Sequence, residues 1–214
     1  MTQPKFRQIC VISRFVTDSA DRDTYRFMHC QPRFGRRVYV SPRAEVSGSV
    51  ALGDEVSVWP MAVIRGDVNH IEIGPRCNIQ DGAVLHVTHE GPWTPGGGPL
   101  TLKDDITVGH AAILHACTIG HRCLVGMGAI VMDGAVLEDE VMIAAGSVVT
   151  PGTRVPARTL WKGNPAREAR ALSADEVAML RYSAEHYVRL KDHYLAARSA
   201  DQREEPGRAA GESG

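Results

Sequence analysis

The sequence predicts a mainly β protein, a coil of short strands that meet at corners, followed by one amphipathic helix. Two observations carry this. From Ile119 onward an aliphatic residue returns at every sixth position: Ile119, Val125, Val131, Leu137, Ile143, Val149 and Val155. After the GNPAR segment, Gly163 to Arg167, the apolar positions Val177, Leu180, Ala184, Tyr187, Val188 and Leu195 fall at helical spacing. A six-residue period fits neither a 3.6-residue helix nor plain strand alternation. It fits a coil with one inward aliphatic residue per side and crowded corners that favour glycine.

The elements follow in order. Residues 1–33 carry no period and predict a mobile N-terminal extension. Met28 is an alternative start. The basic, acid-free stretch ahead of Asp18 is compatible with a cleaved organellar presequence, although its apolar run at Ile9–Ile12 is too short for a secretory signal. The coil spans 34–167, led by Val40, Val46, Leu52, Val58 and Ile64, then Ile73, Ile79 and Leu85, then Leu102, Val108 and Leu114. Glycine often follows the aliphatic lead, as at Gly53, Gly74, Gly109, Gly120 and Gly126. The segment EGPWTPGGGP, between Glu90 and Pro99, predicts an excursion loop over 90–100. Ser173 and Glu176 form a capping box for a helix placed over 168–198 and ending near Ala197. The polar tail 199–214 predicts disorder.

Composition bounds the function. With 214 residues, one domain is expected. Twenty-four Lys and Arg against 25 Asp and Glu argue against nucleic acid or an anionic membrane as partner. No apolar run reaches the roughly 18 residues of a membrane span. Five cysteines without regular spacing read as reduced thiols packed as small apolar residues in a cytoplasmic protein.

The six-residue train resembles the hexapeptide-repeat family of left-handed parallel β-helices, from about Val38 to Pro165. In that family three repeats make one triangular turn, with about 4.8 Å between stacked neighbours. Counting by threes puts Ile64, Leu85 and Leu114 on one face, so Arg65, His86 and His115 form a ladder. Asp81 and His110 then stack at another side of the triangle. A threefold assembly would bring one chain's His110 against the next chain's His86 and His115, so the counting predicts a homotrimer with shared sites.

Further motifs narrow the resemblance: VIRGD (Val63 to Asp67), NIQDG (Asn78 to Gly82), LH at Leu85–His86, GH at Gly109–His110, LH at Leu114–His115 and VGMGAIV (Val125 to Val131). Together they are similar to the γ-class carbonic anhydrases, and more closely to the bacterial branch lacking the long acidic loop. The resemblance implies His86, His110 and His115 as ligands of Zn2+, with Fe2+ or Co2+ as alternatives. It implies reversible hydration of CO2 to bicarbonate by metal-bound hydroxide. Gln80 would hydrogen-bond that hydroxide with Asn78 supporting it, Arg65 and Asp67 would pair across the subunit boundary, and Asp81 would join them. Tyr187 matches a tyrosine near the metal pocket. The positions of the class's proton-transfer glutamates are taken by Val68 and His89, so no acidic shuttle is evident; His89 and His70 are the alternatives, each expected at the surface. Thioester cleavage or acyl transfer on the same scaffold, and a non-catalytic, metal-stabilised assembly module, are the competing functions.

Overall fold

The computed structural model describes residues 26–204. The chain is a left-handed parallel β-helix of triangular cross-section with one C-terminal helix along a side. Strands of two or three residues dominate, and each pairs in parallel with a strand one turn away.

Three faces result. The histidine face stacks Ile64 on Leu85, Leu85 on Leu114, Leu114 on Val131 and Val131 on Val149. The helix face stacks Val40, Val58, Ile79, Val108, Val125 and Ile143. The remaining face stacks Leu52, Ile73, Leu102, Ile119, Leu137 and Val155. The count by threes therefore holds across the excursion loop, because Ile73 pairs with Leu102 directly.

Strand alternation explains the core. The aliphatic lead and the residue two before it both point inward. The second column is Val56, Cys77, Ile106, Cys123 and Val141 on the helix face, and Ala62, Ala83, Ala112 and Ala129 on the histidine face, all buried. Cys77, Cys117 and Cys123 are thus core residues with free thiols, and Cys30 is exposed. Cys10 lies outside the described residues. Glycine after the lead serves close stacking of turns. A Cβ at Gly126 would stand 2.5 Å from the Ala145 nitrogen, and one at Gly109 would stand 2.7 Å from that of Met127. The left-handed corner falls two residues later, at positions such as Arg122, Gly128 and Glu140.

Three boundaries differ from the sequence reading. The extension expected over 1–33 lies outside the described residues up to 25, but a turn at Arg26–His29 and the strand Arg33–Phe34 are packed onto the solenoid. The helix runs Ala174–Glu204, because Ala166–Ala171 form a strand antiparallel to Thr159–Gly163 that ends the sheet. The capping box is present: Glu176 N donates to Ser173 Oγ, and Ser173 N donates to a Glu176 carboxylate oxygen. Residues 199–204 of the expected disordered tail continue this helix, and 205–214 lie outside the described residues.

Candidate metal centre

Each ligand candidate is placed by its step from a buried lead. One step beyond Leu85 and Leu114, alternation turns His86 and His115 outward on adjacent rungs. Their ring centroids stand 5.1 Å apart, with His86 Nδ1 3.1 Å from His115 Nε2. Arg65 occupies the rung on the other side of His86. His110 sits at a corner of the helix face, half exposed, with its Nδ1 3.0 Å from Asp81. Among the described residues of one chain, no group of three or more His, Cys, Asp or Glu is gathered to hold a metal.

Carboxylates hold the far side of both stacked rings. Asp67 accepts from His86 Nε2 at 3.0 Å, and Asp133 accepts from His115 Nδ1 at 2.7 Å. Asp67 also pairs with Arg65, so the contact expected across a subunit boundary is made here within one chain. Burial alone would raise both carboxyl pKa values. Hydrogen bonds from His86 and Arg65 to Asp67, and from Thr88 and His115 to Asp133, outweigh it and hold both groups below the usual carboxylate range. Burial lowers the His86 pKa, against the opposing pull of Asp67.

This donor set suits a cation. With each carboxylate taking the ring proton nearest it, the lone pairs of His86 Nδ1 and His115 Nε2 face each other across 3.1 Å. Two facing lone pairs repel, and a positive charge between them removes the conflict. Two nitrogens bound to one tetrahedral zinc at its usual bond length stand about 3.3 Å apart. The residues present therefore fit the metal that the motifs imply.

On the helix face, Gln80 and Asn78 are buried. Gln80 Nε2 donates to Asn78 Oδ1 at 3.0 Å, Asn78 Nδ2 donates to Thr107 Oγ1 at 2.9 Å, and Thr107 meets Ser183 of the helix at 3.0 Å. With its amide nitrogen engaged, Gln80 keeps its carbonyl oxygen as the acceptor for an outside group. Tyr187 packs edge-on against Trp59 at 5.6 Å, and burial together with the Asp81 charge raises its pKa. His70 and His89 are exposed. Beside Gln80 and His110 opens a groove of about 390 Å³, lined also by Gly126, Met142, Leu160 and Ser183.

One feature of the histidine face was not read from the sequence. The outward position just before each lead is Val63, Val84, Ile113, Ile130 and Val148, an aliphatic stripe beside the ladder. Val84 and Ile113 are each 37% exposed, while the same positions on the remaining face include Glu72, Thr101, Thr118 and Arg154. Asp133, Thr88 and Thr107 were also missed. The first two join the site only through folding, and a lone Asp or Thr carries no motif.

Comparisons with known proteins bear on the family and the fold. Residues 116–151 match the family model for bacterial transferase hexapeptides (six repeats). The chain is 52% identical to Protein YrdA of Escherichia coli over 77% of its own length and 89% of the relative's. It is 35% identical to a carbonic anhydrase of Geobacillus kaustophilus, over 85% of this chain and 99% of that one. A solved hexapeptide transferase family protein from Anaplasma phagocytophilum superposes with a TM-score of 0.70 at 40% identity, covering 76% of this chain and 92% of that one.

Proposed function

The chain belongs to the γ-class carbonic anhydrase family of hexapeptide-repeat proteins, and from that premise we propose that it hydrates CO2 reversibly at a metal site shared between neighbouring chains of a homotrimer. The observation that carries the proposal is the stacked pair of His86 and His115, nitrogens 3.1 Å apart and each backed by a carboxylate, with His110 held on a different side of the triangle. A rotated copy that docks its His110 corner on the histidine face supplies the third imidazole. The uncovered Val84 and Ile113 stripe supports such docking, since apolar surface beside a functional pair marks an interface.

In this reading His86, His110 and His115 hold Zn2+, and the same donors suit Fe2+ or Co2+. Bound there, zinc would lower the pKa of a water to about 7 and would supply a nucleophile for CO2 at neutral pH. The Gln80 carbonyl oxygen, its amide held by Asn78, would accept a hydrogen bond from the attacking group and orient it. Arg65 and Asp81 bring charge to the docking surfaces.

Subunit complementation tests the shared site. His110→Ala and His86→Ala chains each lack one ligand, so each alone should bind little zinc and hydrate CO2 slowly. Mixed and reassembled, they form trimers that hold intact sites, and part of both signals returns. Full zinc and full hydration rate in His110→Ala alone would falsify the assignment.

Thioester cleavage or acyl transfer is a second reading, favoured by the groove of about 390 Å³ next to Gln80 and His110, far larger than CO2 requires. Acyl-CoA turnover measured beside stopped-flow CO2 hydration separates the two. A trimer that dissociates on chelation and turns over neither substrate would instead mark an assembly module.

A further inference from the structure

We propose that Asp133 and Thr88 are the positioning residues of the metal site: Asp133 fixes the tautomer of His115, and Thr88, at the root of the excursion loop, fixes Asp133. This rests on the metal reading above and adds two residues outside the ligand set.

The geometry is a relay. Asp133 lies two residues beyond Val131, the rung that follows Leu114, so its carboxylate reaches back to His115 Nδ1 at 2.7 Å. Its other oxygen takes the Thr88 hydroxyl. Thr88 lies two residues beyond His86, with Val87 buried between them, so alternation puts His86 and Thr88 on the same side. One contact therefore ties the strand of one ligand to the carboxylate behind the other.

A neutral imidazole offers one donor and one acceptor. While Asp133 takes the Nδ1 proton, Nε2 keeps its lone pair toward His86. Without Asp133 the proton is free to move to Nε2, where it blocks the donor atom. Thr88 is itself held: its N–H and C=O exchange two 2.9 Å hydrogen bonds with Gly98, and its carbonyl accepts from Asn69 Nδ2 at 3.1 Å. The loop closes this tightly because its root is glycine. A Cβ at Gly97 would stand 2.6 Å from the Thr88 oxygen, and one at Gly98 would stand 2.8 Å from the Ala116 Cβ.

The test uses the full-length protein, metal-free and 15N-labelled, at about pH 8, where histidine is neutral. Long-range 1H–15N correlation reads the tautomer, with His115 assigned by its loss in His115→Gln. The wild type should carry the proton on Nδ1. Asp133→Ala should move much of it to Nε2, Thr88→Val should move less, and Asp133→Asn, whose amide oxygen still accepts, should keep it. Zinc affinity from chelator competition should then fall about 10–100-fold in Asp133→Ala and about threefold in Thr88→Val. If Asp133→Ala does not fold, Thr88→Val carries both measurements. An unchanged tautomer, or zinc affinity within about twofold of wild type in both variants, overturns the proposal. A wild type that binds no zinc overturns the metal reading instead, while the metal-free tautomer still decides the role of Asp133.

Discussion

Replacing Lys191 by methionine should unlatch the C-terminal helix from the solenoid. The Lys191 side chain is fully buried, and its ammonium lies 2.5 Å from Glu55 and 2.5 Å from Asp192. Arg37 completes the cluster, 3.1 Å from Glu55 and 2.6 Å from Asp192. Lys191 and Asp192 come from the helix, Glu55 and Arg37 from the early coils, so the four charges join the two ends of the fold. Breaking a buried ion pair on one side costs about 3–5 kcal/mol. Here Glu55 and Asp192 keep 26% and 39% of their exposure and retain Arg37, and methionine preserves the buried stem. Both facts lower the cost, to about 2 kcal/mol on the scale for breaking such pairs. For a urea m-value of about 2–3 kcal/mol/M, the midpoint falls by about 0.7–1 M.

Urea titration at fixed protein concentration, followed by tryptophan fluorescence, measures this shift. Trp59 is a suitable reporter, because Tyr187 and Tyr194 of the helix pack edge-on against it at 5.6 and 5.1 Å. Glu55→Gln and the double variant complete a cycle, which should show a coupling of about 1–2 kcal/mol. An unmoved midpoint in Lys191→Met, or strictly additive single variants, would refute the latch.

Three more predictions concern the solenoid. Gly48→Ala should cost at least about 3 kcal/mol, since φ is +77° and the new Cβ would meet the Gly66 oxygen at 2.2 Å, whereas Gly128→Ala, at +64° with open space around it, should cost about 1 kcal/mol; thermal melts separate them. Burial would raise the Glu140 carboxyl, but hydrogen bonds from Arg158 and Arg122 outweigh it and hold the pKa below the usual range. Its folded pKa thus lies below its unfolded value, so the stabilisation is full above about pH 4.3 and disappears as pH falls through the folded pKa; the stability gap between wild type and Glu140→Gln should close in acid denaturation series. Burial pushes the thiols of Cys77 and Cys117 up, and that of Cys123 up to about 12, so a thiol reagent should label the exposed Cys30 in the native protein and reach these three only after unfolding.

The site was legible in the sequence to the extent that register alone places it. Once Ile64, Leu85 and Leu114 share a face, the stacking of His86 on His115 follows, and so does the separation of His110 with Asp81. Gln80 and Asn78 came from the resemblance and not from the count, and the structure joins them by a 3.0 Å hydrogen bond. The count missed Asp133, because the reach of a carboxylate back across 18 residues depends on a corner's conformation and not on a repeat. It missed the aliphatic stripe because Val84 and Ile113 look like ordinary strand residues until one knows which faces the helix covers. The resemblance implies a place near the metal pocket for Tyr187; the structure packs it edge-on against Trp59 of the solenoid.

What the sequence determined by itself is the coil, its face assignments and Cys77, Cys117 and Cys123 as core residues, since a six-residue period dictates which side chains point inward; Cys30, ahead of the coil, is exposed against the expectation of a packed thiol. Tertiary structure alone decided where the helix begins and ends, which carboxylate backs each imidazole, and that the Thr88 loop is tied to His115. Those depend on contacts between residues far apart in the chain, whose free energies appear only after the turns have stacked.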